Sequence, residues 1–387
     1  MNIWLLKPAE LTLKGGNRKN FEQVLKRNLL KALSAAGIGS AAKITTTDGR
    51  FYLRCPDSDS EKAEKILARL TGISGWARAN TCEKSVEAVL RASVEEGKKI
   101  CQNGAKTFKI AARRTDKSFP LNSYSICCEA GNAVTNAISD LNVDIHNPDD
   151  VIRIEIREKA YIYSGGQKGL GGLPVGSAGR GLLLLSGGID SPVAGFLMAV
   201  RGMGIDAIHF HSYPYTSLEA KQKVIRLAEI TGSYCMGIRL YILNFTAVQM
   251  RIKERAPEAW TTVLLRMAMM EAAEKTALKI KCKCLVTGES LSQVASQTIE
   301  NLSCTQSRIK LPVLRPLIGM NKENIIRESE RIGTFEISIQ PFEDCCTLFT
   351  PRHPMLYGEP AEANSLYESM ELEPLIDESL RNYELVK

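Results

Sequence analysis

Apolar and polar residues follow two different rhythms along this chain. In the first, "NIWLLKP" (2–8) predicts a strand and "NRKNFEQVLKRNLLKALSAAG" (17–37) an amphipathic helix closed by Gly37. "KITTTDGRFYLRC" (43–55) predicts a hairpin about Asp48-Gly49, and "DSEKAEKILARLTGISG" (59–75) a helix with an acidic first turn. Residues 76–165 repeat the style. A helix in "SVEAVLRASVEEGKKI" is followed by a strand ending in basic residues, "KTFKIAARRT". A second helix, "SYSICCEAGNAVTNAI", precedes paired strands in "VIRIEIREKAYIYSG". Both stretches read as small α+β units.

The rhythm changes after "GGQKGLGGLPVGSAGRG" (165–181), which holds eight glycines in seventeen residues and reads as a boundary loop. Beyond it, apolar strands ("LLLLS", "DAIHFHS", "YILNF", "CLVTGES") alternate with helices ("SPVAGFLMAVRGM", "LEAKQKVIRLAEIT", "WTTVLLRMAMMEAAEKTALK", "IIRESERIG"). Continuous apolar strands separated by helices predict a parallel α/β sheet covered on both faces. Its ligand site is expected at the carboxyl ends of the strands.

One such end carries Ser186-Gly187-Gly188-Ile189-Asp190-Ser191, between four leucines and a new helix. Glycines let the backbone approach a ligand, and N–H groups at a helix start make an anion cradle. No Lys-Ser or Lys-Thr follows the second glycine, so this is not a Walker A loop. A pyrophosphate held without that lysine suits cleavage of ATP to AMP and pyrophosphate, with Asp190 holding Mg²⁺ or orienting a phosphate. The bland alternative is a tight strand-to-helix turn.

Composition narrows the class. Hydrophobic residues make up 44% of the 387, ample for a core, and no apolar run reaches the ~18 residues of a membrane span. No leader pattern opens the chain, so a cytoplasmic protein without membrane contact is expected. The net charge of +7 is concentrated in the N-terminal half, which suits a polyanionic partner. "KIAARRTDKSF" places Arg113, Arg114 and Lys117 at a strand end, and Lys14, Arg18 and Lys19 form a second basic group; the alternative for each is a solvated charge. The 11 cysteines are scattered and odd in number, which argues for reduced thiols rather than a disulfide framework. Cys345-Cys346, after "PFED", stand outside any apolar period and are candidate reactive thiols, or else buried core cysteines.

S-G-G-x-D-S is the signature of the PP-loop ATP-pyrophosphatases. With "LPVGSAGRG", "HFHSYPYTS", "LVTGESLSQVASQT", "LRPLIGMNKENII" and "PFEDCCTLFTP", the whole chain resembles the tRNA 4-thiouridine synthase family. The resemblance implies a ferredoxin-like domain (1–58), a THUMP tRNA-binding domain (59–166), a glycine-rich linker (167–180) and a PP-loop α/β domain (181–387). It implies adenylation of O4 of uridine 8 in tRNA and its replacement by sulfur, with sulfur donation to the thiamine thiazole in some members. It places adenine and ribose against Leu184, Leu185, His209 and Phe210, largely by backbone. Arg266 falls near the phosphates, and Gly288 and Gln297 lie at the nucleotide. Lys322 neutralises pyrophosphate charge, and Cys346 carries sulfur with Cys345 as an adjacent thiol. It further implies Mg²⁺, a homodimer, and a cysteine desulfurase or another persulfide or sulfide source. Many members carry a C-terminal rhodanese-like domain, which this chain lacks, so the carrier is left open. An iron–sulfur cluster on Cys282, Cys284 and Cys346 ranks last among the routes. A PP-loop amidating ligase with another substrate is the alternative enzyme, and a tRNA-binding protein with a relic nucleotide fold the non-catalytic one.

Overall fold

The computed structural model describes residues 1–13, 15–47, 49–342 and 351–386. They form two compact units, residues 1–172 and 173–387.

The first unit opens with β1 (Asn2–Pro8), α1 (Arg18–Ala35), β2 (Lys43–Thr47), β3 (Arg50–Cys55), α2 (Ser60–Arg69) and β4 (Ile73–Cys82). This is the βαββαβ order of a ferredoxin-like unit. Apolar positions of α1 (Leu25, Leu29, Leu33) and α2 (Ala63, Leu67) pack with Trp4, Phe51, Leu53 and Trp76 in one core. A boundary at residue 58 would cut α2 and β4 away from that core, so the unit runs on to β4. It continues as α3 (Val86–Gln102), β5 (Thr107–Arg114), α4 (Ser123–Ala137), β6 (Asn142–Val143), β7 (Asp150–Ile156), β8 (Ala160–Tyr163) and β9 (Gln167–Lys168). The sheet order is β2-β3-β1-β4-β8-β7-β5-β6, with β9 beside β4. β4 joins the two halves: Ile73–Ala79 lies along β1, and Asn80–Cys82 along β8.

Residues 167–180 are not a loose tether. Gly169 and Gly171 donate to Ser74 and Ile73 carbonyls at 3.0 and 2.8 Å, whereas Leu173 and Ala178 donate to Val200 and Gly202 at 2.9 and 3.0 Å. The glycine-rich stretch is therefore divided between the two units by its backbone hydrogen bonds.

The second unit contains β10 (Arg180–Leu184), α5 (Asp190–Val200), β11 (Gly204–His211), α6 (Leu218–Cys235), β12 (Leu240–Asn244), α7 (Thr246–Arg255) and α8 (Thr261–Lys279). It continues with β13 (Leu285–Val286), α9 (Ile299–Gln306), β14 (Val313–Leu314), α10 (Lys322–Ile332) and α11 (Phe335–Ser338). It closes with α12 (Pro360–Ser369), α13 (Glu373–Arg381) and β15 (Glu384–Val386). The sheet order is β14-β13-β10-β11-β12-β15; all pairs are parallel except β15 against β12. The chain winds outward from β10 through β11 and β12, then returns to β13 on the other side. That reversal opens a crevice at the carboxyl ends of β10 and β13. α8 is buried along most of its length, and Val263, Leu264, Met267, Ala268 and Ala272 lie in the core with Leu182 and Ile208.

Candidate functional site

A cavity of about 250 Å³ lies at this switch point. It is lined by Leu184, Leu185, Ser186, Asp190, Ser191, His209, Phe210, Arg266, Gly288 and Gln297, together with Met269, Met270, Thr287 and Glu289. The structure thus brings together residues spread over more than a hundred positions, because β10, β11 and β13 end on one rim and α8 packs beside it. Gly187 and Gly188 belong to the same loop, although their side-chain-less positions are not part of the lining.

The loop from Leu185 to Ile189 is held by its own serines. Ser186 N donates to Ser191 Oγ at 2.9 Å, the two hydroxyls lie 3.1 Å apart, and Gly188 N donates to Ser186 Oγ at 3.3 Å. Ser338 Oγ, at the end of α11, donates to the Gly188 carbonyl at 3.3 Å. Gly187 and Gly188 stay out of the left-handed backbone region. Their missing side chains therefore serve to leave the loop uncovered, not to supply a turn. Steric demand is instead met by Gly288 at the end of β13: a Cβ there would sit 2.7 Å from Ser191 N and 2.9 Å from the Asp190 carbonyl carbon. Close approach of β13 to the start of α5 requires that glycine.

Asp190 opens α5, where a carboxylate complements the helix dipole. Its oxygens accept from Lys322 Nζ at 2.6 Å and from Gln293 Nε2 at 2.9 Å. Lys322 is the first residue of α10, placed there because Asn321 caps that helix by accepting from Asn324 N at 3.0 Å. The two predicted polar partners of the phosphates are thus ion-paired with each other. His209 is fixed by Nδ1 against the Leu185 carbonyl at 3.0 Å, which ties β11 to β10 at the rim.

The opposite wall is an ion-pair network. Glu289, 3% exposed, accepts from Arg266 Nη2, from Arg315 Nε at 2.7 Å and from Thr287 Oγ1 at 2.8 Å. Burial alone would raise its carboxyl pKa, but the two guanidiniums and their hydrogen bonds hold it below the usual range, so Glu289 is ionised. One carboxylate between two arginines leaves a net positive wall. Sequence reasoning found Arg266 but missed Glu289, Arg315, Gln293, Thr287 and the methionines. The only sequence signal for Glu289 is its place directly after Gly288 at a strand end.

Cys345 and Cys346 lie outside the described residues, as does Lys14. Cys282 and Cys284 precede β13 at the amino ends of the strands, opposite the cavity. Both are buried, and Cys284 Sγ packs 3.7 Å from Met203 Sδ. Burial raises both thiols, Cys282 to about 12. They are core cysteines at the end of the sheet opposite the loop, and the third cysteine of the expected cluster, Cys346, lies outside the described residues. No group of three or more metal-ligating side chains occurs among the described residues.

On the first unit, Lys19 is exposed in the first turn of α1, and Arg18 pairs with Glu22 at 2.7 Å. Arg113 and Lys117 are exposed at the end of β5. Arg114 instead donates Nη1 to the carbonyls of Lys117 and Phe119 at 3.2 and 3.0 Å, closing the turn that presents its neighbours.

A doubly wound sheet with this loop at its switch point, preceded by ferredoxin-like and THUMP modules, defines a PP-loop ATP-pyrophosphatase built onto an RNA-binding half. The family described as thiamine biosynthesis protein (ThiI) matches residues 176–372, the ThiI ferredoxin-like domain residues 3–77, and the THUMP domain residues 83–164. A probable tRNA sulfurtransferase of Treponema pallidum (strain Nichols) is 48% identical over 381 residues, covering 98% of this chain and 94% of that protein. Its counterpart in Caldanaerobacter subterraneus is 44% identical over 376 residues, covering 97% of each. A crystal structure of a 4-thiouridine synthetase–RNA complex with bound ATP is 33% identical, with a TM-score of 0.91 over 100% of this chain and 99% of that one. The chain belongs to the ThiI family of tRNA sulfurtransferases. Among the described residues, no helix is long and apolar enough to cross a membrane.

Proposed function

We propose that this chain catalyses ATP-dependent sulfur transfer to tRNA, converting uridine 8 to 4-thiouridine. The observation that carries the reading is the union of an intact Ser186–Ser191 loop and a basic wall around one cavity, on a chain with a THUMP half. In this reading, the uridine O4 attacks the α-phosphorus of ATP and pyrophosphate leaves. Sulfur then attacks C4, and AMP departs with the oxygen.

The chain's own groups divide the work. Backbone at Leu184, Leu185, His209 and Phe210 takes the adenosine, with Met269 and Met270 as apolar wall and Gln297 as a hydrogen-bonding partner. The N–H groups of Ser186–Ser191 cradle phosphate at the start of α5. Arg266 and Lys322 stabilise charge that develops as the α–β bond breaks. Asp190 has a carboxylate at the loop suited to Mg²⁺, which would neutralise phosphate charge when bound. Lys14, Arg18, Lys19, Arg113 and Lys117 meet the RNA backbone, with Arg114 holding the turn beneath the last two. Cys346 carries sulfur and Cys345 is the adjacent thiol. With a persulfide donor, the sulfur bonded to C4 is released by attack of a second thiol. The resulting disulfide is reset by an external thiol reductant. A cysteine desulfurase supplies that persulfide in the cytoplasm, the enzyme works as a homodimer, and a thiamine role follows the family.

The test combines purified protein, bulk tRNA and Mg-ATP with either a cysteine desulfurase plus cysteine, or free sulfide. Near-ultraviolet absorbance of 4-thiouridine is expected with the desulfurase. Equal signal with sulfide alone would replace the persulfide route by direct sulfide use. No product from either donor would refute the reading and favour another adenylated substrate.

A further inference from the structure

The cavity accounts for the nucleotide. It does not by itself account for how a uracil ring is held with O4 toward the phosphate. Enzymes acting on a base take it out of the stack, and the exposed face then needs a new partner. Aromatic side chains supply such faces.

β11 passes the cavity at His209 and ends at His211, and residues two apart on a strand share a face. His211 follows on that face, its ring centroid 6.4 Å from that of His209. Tyr213 comes next, stacked on His211 with centroids 6.5 Å apart and planes 25° apart. The first two rings are buried, whereas Tyr213 is 57% exposed. A run of aromatic rings therefore leads from the nucleotide wall to the surface.

The run is built, not incidental. His211 Nδ1 lies 3.0 Å from Thr216 Oγ1, which also accepts from Ser212 N at 3.0 Å. Thr216 N donates back to the Ser212 carbonyl at 2.9 Å, closing the loop. From the other side, Thr246 Oγ1 donates to the Tyr213 carbonyl at 2.8 Å. An exposed tyrosine with its backbone fixed at both flanks loses little conformational freedom on binding. Tyr215 and Leu218, 48% and 60% exposed, extend the apolar surface of the same loop.

We infer that Tyr213 is a stacking platform for the target pyrimidine of the RNA substrate, at the surface end of the ring run that starts from cavity-lining His209. This rests on the functional reading above. The substrate's polar edges are left to the loop and basic wall; Tyr213 offers a flat face that any base can use. Tyr213 is a substrate-contacting residue here, and His211 with Thr216 positions it.

The test uses the full chain, saturating Mg-ATP and an unmodified tRNA transcript, with a second transcript carrying an abasic site at the target position. Tyr213→Ala is expected to lower kcat/KM for the intact tRNA at least about fivefold, the lower end of what one lost base–aromatic stack costs. Tyr213→Phe is expected to stay within twofold of wild type, and Kd for ATP is expected to be unchanged in both. Wild type is expected to bind the intact transcript more tightly than the abasic one, a preference that Tyr213→Ala erases. Normal turnover by Tyr213→Ala, or an undiminished preference, would overturn the proposal. So would loss of ATP affinity, or a change of oligomeric state on gel filtration that explains the defect. A wild type that makes no 4-thiouridine yet keeps the transcript preference would instead refute the reaction reading alone.

Discussion

Gly288→Ala adds one carbon where β13 meets the nucleotide loop. That carbon would lie 2.7 Å from Ser191 N and 2.9 Å from both the Asp190 carbonyl carbon and Ser191 Cα. All three are backbone atoms, so no side chain can swing away. Ordinary contact begins near 3.4 Å, and the two segments must part by the difference, 3.4 minus 2.7, about 0.7 Å. Gly288 has no left-handed backbone requirement, so alanine brings no conformational penalty of its own. Overpacking of this kind costs about 1–3 kcal/mol, and a unit of this size loses about 2–4 °C in Tm per kcal/mol. The larger effect falls on rate, because Asp190 and Ser191 are the atoms displaced. Misplacement by about 1 Å costs on the order of 100-fold, so a shift below that predicts a kcat loss of about tenfold or more. Gly319→Ala is the matched control, since nothing lies within 4 Å of its Cβ position. Thermal melts and tRNA-dependent release of pyrophosphate read both effects. Equal Tm and kcat in the two variants would refute the close-approach argument.

Asp190→Ala is expected to abolish tRNA-dependent AMP formation while tRNA affinity in a filter-binding assay stays unchanged; normal AMP output would remove Asp190 from the reaction. Cys346→Ser is expected to adenylate tRNA normally but to yield no 4-thiouridine from a persulfide, and full persulfide-dependent product would move the role to another thiol. Glu289→Gln breaks a buried ion network and is expected to cost about 3–5 kcal/mol at neutral pH. Because the Glu289 pKa is held down in the folded protein, its contribution is present above the ordinary carboxylate pKa and is lost as pH falls through the lower folded value. The stability gap between wild type and Glu289→Gln should therefore narrow on acidification, and denaturant melts showing a constant gap would contradict this. Among the described cysteines, maleimide at pH 7 is expected to label exposed Cys128 first and to spare Cys235 and Cys282, whose thiols burial pushes up to about 12; mass mapping of early products decides it.

Much of this fold can be read in the chain, because periodicity and turn chemistry are local. The helix closed by Gly37, the strands flanking Asp48-Gly49 and the strand–loop–helix at Ser186 all declare themselves within about twenty residues. The Ser186–Ser191 loop and its glycines were legible for the same reason. Domain edges were not: whether α2 belongs before or after a boundary depends on which core its leucines join, and that is a long-range fact. The terminal α12, α13 and β15 were also missed, since a three-residue edge strand carries almost no pattern.

The site divides in the same way. The sequence by itself determined the chemistry on offer: a glycine-rich loop at a strand end, an acidic residue at a helix start, a basic N-terminal half and a pair of candidate thiols. Tertiary structure decided which of those groups meet. It paired Asp190 with Lys322 across 132 positions and set Glu289 between Arg266 and Arg315. It sent Cys282 and Cys284 into the core and turned Arg114 back onto its own loop. The physical reason is that hydrogen-bonding periods act over neighbouring residues, whereas burial and charge pairing are settled by strand order. Reversal of the winding between β10 and β13 places those distant groups on one rim.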